Sequence, residues 1–313
     1  MTAAVRLHIR HHTQYRYHSP VVSSHHIAIL HPRNAAGQRV VSHRLTVAPP
    51  PAYQTQAVDV YGNRRTLFAI YRPHTAIDVV ADSVVDIEAP TQPEKDEPWE
   101  QVRDRLRYQA GASYLPEAEF VYASPHIPRE ALIDPDLIAY ARASFPPAGG
   151  WLAGCRDLTA RLHADLAYAP ASTEVHTPLL AAFRQRRGVC QDFAHVLIGA
   201  LRALGLPARY VSGYLLTQPP PGQPRLVGAD ASHAWVEVPW GERWFDLDPT
   251  NRRWGWDRPD EGYVTVATGR DYGDVSPLRG VIQGGGAHAL RVAVTVAPPQ
   301  EWTALGWAAP GAG

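Results

Sequence analysis

Apolar residues fall on alternate positions through the first ninety residues of the chain. Val5, Leu7 and Ile9 are followed by Thr13, Tyr15 and Tyr17, then by Ile27 and Ile29, then by Val58 and Val60. A period of two puts successive side chains on opposite faces of a strand, so each set marks one buried face. Pro20, Pro32, Pro49 to Pro51 and Gly62-Asn63 interrupt the runs where turns belong. The pattern predicts an antiparallel β-rich domain over 1–90, closing on a strand from Ile77 to Ile87. Ala89 to Pro98 holds three prolines and four charged residues and reads as a linker.

From Trp99 the period becomes helical, through Val102 and Leu106, then Leu132, Leu137, Ile138 and Tyr140, then a helix from Leu152 to Leu166. A further amphipathic helix runs from Gln191 to Leu204, and Gly205-Leu206-Pro207 stops it. Strands follow at Ala208 to Tyr214, Ser232 to Val238 and Arg243 to Asp248. Helices packed on one antiparallel sheet make the fold class α+β, with this second domain over 91–270. Beyond Tyr263 the chain reads as irregular and glycine-rich, through Gly284-Gly285-Gly286. In the last segment, 271–313, one alternating strand (Leu290, Val292, Val294, Val296) returns to a sheet already present, and Ala308 to Gly313 reads as a frayed tail.

Composition narrows the function classes. An apolar share of 45% and a charged share of 19% over 313 residues are those of a globular protein of one large or two modest domains. Thirty basic residues balance thirty acidic ones, so no net field favours nucleic acid or an anionic membrane as partner. No apolar run approaches the ~18–20 residues of a membrane helix. The start, Met1 to Arg10, lacks the apolar stretch of a secretion signal. The two cysteines, Cys155 and Cys190, do not make a disulfide framework and suit a reducing compartment, so a cytoplasmic protein is expected. The spacing of His8, His11, His12, His25 and His26 matches no tetrahedral ligand set, and neither metal nor cofactor is expected. The oligomeric state is not encoded.

Chemistry concentrates at three positions. Cys190 follows Gly188-Val189 and opens a helix, where unpaired backbone N–H groups and the helix dipole favour a thiolate. Ser232 to Thr250 reads as a hairpin with Pro239 to Glu242 as its loop. If Val238 pairs with Arg243, the same register sets His233 opposite Asp248. Ala234, Val236, Val238, Phe245 and Leu247 then share one face, and His233, Trp235, Glu237, Trp244, Asp246 and Asp248 the other. Nucleophile, base and orienting carboxylate are the parts that thiol catalysis requires, and Cys190, His233 and Asp248 supply them in that order. Asp246 competes for the orienting role from the same face, diagonal to His233. An oxyanion hole would use the Cys190 N–H with a second donor, for which Gln191 and Tyr168 are candidates. Trp235 and Trp244 either line an acyl-donor groove or pack. Asp192 and His195, on the cysteine helix, take structural roles.

Gly188-Val-Cys-Gln-Asp-Phe-Ala-His195, Gly205-Leu-Pro-Ala-Arg-Tyr-Val-Ser-Gly-Tyr214, Ser232-His-Ala-Trp235 and Asp248-Pro-Thr-Asn251 together resemble the bacterial transglutaminase-like family, whose members are often labelled cysteine proteases. Leu7 to Tyr17, Pro20 to Ser24, His31-Pro-Arg33 and Asp59 to Asn63 resemble that family's N-terminal β domain. Gly269 to Asp274 and Pro277 to Gly280 are similar to its C-terminal segment. The resemblance covers nearly the whole chain. It implies a papain-like core, and Cys190, His233 and Asp248 match the family's catalytic triad one for one. The insert Gln218 to Gly228 is either a flap over the site or a plain loop.

The expected activity is attack of a thiolate on an amide of a protein or peptide substrate, through a thioester, with hydrolysis ahead of transfer to an amine. Three alternatives stay open: a protein-glutamine transglutaminase, a peptide-binding or assembly module without turnover, and a zinc site on Cys190, His233 and Asp248.

Overall fold

The computed structural model describes residues 4–89, 95–107, 110–111, 113–170, 176–217, 228 and 232–305. The expected linker therefore lies partly, and the frayed tail wholly, outside the described residues.

The β-rich half is built round one long strand. β1 (Val5–Ala28) carries 24 residues and is followed by β2 (Gln38–Ala48), β3 (Tyr53–Val58), β4 (Arg64–Ile70) and β5 (His74–Ile87), in the spatial order β2-β5-β1-β4-β3. All these pairings are antiparallel. The first half of β1 pairs with β5 and its last residues with β4; between Arg16 and Val21, around Pro20, the register shifts. Leu7 and Ile9, one face of the alternating run, are essentially unexposed, as period two requires.

The second half opens with helices α1 (Trp99–Arg105), α2 (Arg129–Leu132), α3 (Pro135–Arg142) and α4 (Trp151–Asp165), with a 3₁₀ turn at Pro116–Val121 before α2. Two short parallel strands, β6 (Ala167–Tyr168) and β7 (Arg187–Gly188), flank α5 (Leu179–Gln185) and lead into α6 (Cys190–Ala203). After α6 come β8 (Arg209–Leu215), β9 (Ser232–Trp240), β10 (Arg243–Asp248), β11 (Arg253–Trp256) and β12 (Tyr263–Gly269), in the order β11-β10-β9-β8-β12. Residues 192–202 of α6 are buried without a break, because α3, α4 and α5 cover the sides that the sheet leaves. Each fully buried Leu or Val there contributes roughly 1.5–3 kcal/mol of transfer free energy.

Tyr263–Gly269 is a strand of the core sheet, not the start of an irregular region. The chain then forms α7 (Tyr272–Val275), β13 (Leu278–Gly284), β14 (His288–Ala297) and α8 (Pro299–Ala304). β13 and β14 both lie along β1, so the late strand returns to the N-terminal sheet. Leu278–Gly284, read as irregular because of its glycines, is also a strand; β1 supplies its pairing.

The two halves share one apolar interior, in which Leu7, Ile9, Val85 and Ile87 pack with Tyr214, Val264 and Val266. The outer edge of β12 is closed by side-chain amides from the β-rich half. Gln38 donates to Thr265 O and accepts from Thr265 N, both at 2.8 Å. Asn63 donates to Thr268 O at 2.8 Å and accepts from Thr268 N at 2.9 Å. Each amide thus imitates a ladder pair on an edge that would otherwise carry bare N–H and C=O groups. Arg258, 2% exposed, donates to Glu88 O and Ala36 O beside this seam.

The β9–β10 hairpin differs from expectation by two residues. Trp240 pairs with Arg243 and Val236 with Leu247, so the loop is only Gly241-Glu242. Gly241 has φ 59°, the left-handed geometry a two-residue hairpin turn demands at its first position. A shift of two keeps parity, so the expected division of the two faces survives.

Candidate active site

Val189 is extended and α6 begins at Cys190, so the sulfur emerges at the helix start. Asp192 holds this corner. Its Oδ2 accepts the Val189 N–H at 2.8 Å, and Gly188 packs on its side chain so tightly that an added Cβ would lie 2.6 Å from Asp192 Oδ2. Cys190 is a free, partly exposed thiol, whereas Cys155 is fully buried in α4. Burial pushes the Cys155 thiol far up, which makes it an inert core residue.

His233 opens β9 and Asp248 ends β10. In the observed register they are not directly opposed, and the ladder's last pair is Leu247 with Val236. Continued one step, it would set Asp248 against Trp235 and leave His233 on the diagonal. The carboxylate spans the diagonal: Asp248 Oδ2 lies 2.7 Å from His233 Nε2. Cys190 is the other group that acts on this ring electrostatically. Burial opposes a charge on His233, but the Asp248 carboxylate, by charge and hydrogen bond, and Cys190 outweigh it and push the ring up to about 10. Asp248 is held below the usual carboxylate range despite its burial, by His233, Tyr263 and Asn251. The arrangement sets the His233 ring beside the Asp248 carboxylate, with Cys190 near it.

Asp246 stays outside that arrangement. It accepts from Trp235 Nε1 at 2.5 Å, lies opposite Glu237, and leaves its Oδ2 buried without a partner. Burial first, and Glu237 second, push its carboxyl well up. Trp235 is wholly buried and stacks 6.0 Å from the His233 ring; it is a floor under the imidazole and not a groove wall. Gly213 lets the indole in, since a Cβ there would come within 2.4 Å of Trp235 Cη2. Trp244 packs under the Arg209 guanidinium, 3.4 Å from its ring centre.

Tyr168 stands at the mouth. It pairs with Gly188 across β6 and β7, is 54% exposed, and its phenol is pushed up by burial and by Cys190. His195 is 2% exposed, stacks on His126, lies tilted against Tyr210, and accepts the Tyr272 N–H on Nε2 at 3.2 Å. Burial drives it down to about 3, which keeps the ring neutral. The insert Gln218 to Gly228 lies outside the described residues except for Gly228, whose N–H donates to Thr295 Oγ1 at 2.8 Å. Among the described residues no group of three or more His, Cys, Asp or Glu is arranged to hold a metal ion. No helix described is long and apolar enough to cross a membrane.

Two residues absent from the sequence expectations belong to this site. Tyr263 donates its hydroxyl to Asp248 Oδ2 at 2.5 Å, and Asn251 Nδ2 donates to the same oxygen at 2.7 Å. Asn251 stands within the Asp248-Pro-Thr-Asn251 motif and was open to notice; Tyr263 had no local signal.

The chain compares with known proteins along most of its length. The family described as "Bacterial transglutaminase-like N-terminal region" matches residues 7–86, and "Transglutaminase-like superfamily" matches residues 150–249. An uncharacterised protein of Mycobacterium tuberculosis is 39% identical over 305 residues, covering 94% of this chain and 93% of its own. One of Mycobacterium leprae is 34% identical over 306 residues, covering 93% and 98%. A protein-glutamine gamma-glutamyltransferase of Pseudomonas aeruginosa is 41% identical over 70 residues, which are 22% of this chain and 10% of that one. Among solved structures, one titled a "putative cysteine protease" from Cytophaga hutchinsonii superposes with TM-score 0.70 at 22% identity, over 95% of this chain and 92% of the other. That likeness establishes the fold.

Proposed function

Because the chain belongs to the transglutaminase-like superfamily and carries its bacterial N-terminal region, we propose that it is a thiol enzyme acting on amide bonds of protein or peptide substrates. In this reading Cys190 is the nucleophile, His233 the acid and base, and Asp248 the residue that orients the ring. The observation that carries it is the buried His233–Asp248 pair, 2.7 Å apart, with Cys190 close enough to raise the ring electrostatically.

The thiolate attacks the carbonyl carbon, and a C–S bond forms as charge gathers on oxygen. That oxygen lies where the first N–H groups of α6 point, with Tyr168 or Gln191 as the second donor. Collapse breaks the C–N bond, and the imidazolium gives its proton to the departing amine. A second nucleophile then loses its proton to His233 and attacks the thioester; the C–S bond breaks and the thiolate–imidazolium pair is restored. Water is the favoured acceptor, since Cys190 is itself partly exposed. The match to a protein-glutamine gamma-glutamyltransferase favours, as the second reading, an amine in place of water. A reducing, cytoplasmic setting suits either outcome, because oxidation of Cys190 would stop both.

The test is capture of the acyl-enzyme. Wild type and Cys190→Ala are incubated with cell lysate, and the bound acyl group is identified by mass spectrometry, with and without a fluorescent primary amine. Acyl adducts on the wild type alone are expected. Equal recovery from both proteins would leave the reading without support, and amine incorporation exceeding hydrolysis would exchange the two acceptors.

A further inference from the structure

The orienting carboxylate is held by more than the histidine. Asp248 is wholly buried and both its oxygens are filled. Oδ1 accepts the N–H groups of Thr250 at 2.8 Å and Asn251 at 3.2 Å. Oδ2 accepts from His233, from Asn251 Nδ2 and from the Tyr263 hydroxyl. The phenol is the donor with the least local reason to be there. Tyr263 begins β12, beyond β8 and β9 from the carboxylate it serves, and is itself wholly buried. Its ring stands edge-on to Trp235, with centroids 5.3 Å apart at 85°, and 5.9 Å from the His233 ring.

We infer that Tyr263 is a positioning residue of the thiol site: its hydroxyl fixes the Asp248 carboxylate in the plane and ionised state in which it can orient His233. This rests on the reading of Cys190, His233 and Asp248 as a catalytic row. A carboxylate with a single imidazole partner is free to rotate or to take up a proton. With Tyr263 and Asn251 on the same oxygen as His233, rotation would break three hydrogen bonds at once. Protonation is opposed because each donor bonds the anion more strongly than the neutral acid. The charged neighbours are few: His233 from β9 and, farther out, Arg253 from β11, which also feels the Asp248 charge. Tyr263 burial and Asp248 together push its phenol far above its ordinary value, so it stays a donor at any working pH.

β12 is also the strand whose outer edge Gln38 and Asn63 close. Tyr263 therefore ties the position of Asp248 to the seam between the two halves of the molecule.

The test uses Tyr263→Phe, which keeps the ring against Trp235 and removes only the hydroxyl. Two readouts are needed. The Asp248 carboxyl carbon, labelled with ¹³C and assigned by its loss in Asp248→Asn, is titrated by NMR in wild type and variant. The alkylation rate of Cys190 by iodoacetamide is measured across the same pH range. The expected result is an acid midpoint for Asp248 raised by about one unit, with the acid limb of Cys190 alkylation moved in the same direction; loss of one charge-assisted bond changes an equilibrium roughly tenfold. An unshifted carboxyl midpoint, or a shifted midpoint with an unmoved alkylation limb, would overturn the positioning role. Alkylation indifferent to His233→Ala in the parent protein would instead remove the thiol reading itself, which the carboxyl titration tells apart.

Discussion

Asp248 and His233 meet on the diagonal of the β9–β10 hairpin, 2.7 Å apart, and not as a directly opposed pair. The contact depends on the carboxylate being aimed sideways, and that places particular demands on the residues around it.

The first concerns the reactive thiol. His233→Ala is expected to abolish the thiolate–imidazolium pair and to change the pH profile of Cys190 alkylation, while Cys190→Ala or His233→Ala lowers acyl turnover by about 10³-fold or more. Alkylation rates with iodoacetamide across pH provide the check. Superimposed profiles for wild type and His233→Ala would mean that sulfur and imidazole do not act together.

The second separates the two aspartates. Asp248→Asn cannot stabilise the imidazolium and should lose about 10³–10⁴-fold in turnover. Asp246 touches Trp235 and not His233, and its carboxyl is driven toward the neutral form, so Asp246→Asn should keep turnover within about threefold. Steady-state rates of the two variants decide it.

The third is a pH dependence of stability. His233 is raised from an ordinary value of 6.5 to about 10 in the folded protein, so its charged form is favoured by folding. The stabilisation is complete below about pH 6.5 and is lost as pH rises through about 10, above which folded and unfolded rings are both neutral. The melting-temperature difference between wild type and His233→Gln should therefore narrow steadily over that interval. A difference constant across it would contradict the assignment.

The fourth tests the floor of the site. In Gly213→Ala the new methyl would lie 2.2 Å from Val264 O and 2.4 Å from Trp235 Cη2, so strand or indole must move. Overpacking of this kind destabilises by about 1–3 kcal/mol, or roughly 2–12 °C in Tm for a chain of this size. Because Trp235 lies under His233, turnover should fall further than the melting point alone accounts for. Calorimetry paired with rate measurements gives both numbers.

Much of this was legible in the sequence because strand patterning is local. The faces of the hairpin came out correctly although the register was two residues off, since any even slip leaves parity unchanged. The loop length was misjudged because Pro239 reads as a turn residue yet sits inside β9. β12 was lost for a different reason. Its partners are β8, beyond the whole hairpin, and two amides near residues 38 and 63, so nothing adjacent in the chain marks it as a strand. Tyr263 went with it. The destination of β14 was likewise illegible, because the strand it joins lies some 280 residues earlier.

The seam along β12 bears on how such proteins can be rebuilt. The second half expressed alone would lose Gln38 and Asn63 and present Thr265 and Thr268 as an open template, inviting a second chain to add itself there. Exchanging the leading half for that of a relative should succeed only when the donor brings amide side chains at the matching places. What resembles a detachable accessory is, by its bonding, the last strand of the five-stranded sheet supplied in two pieces.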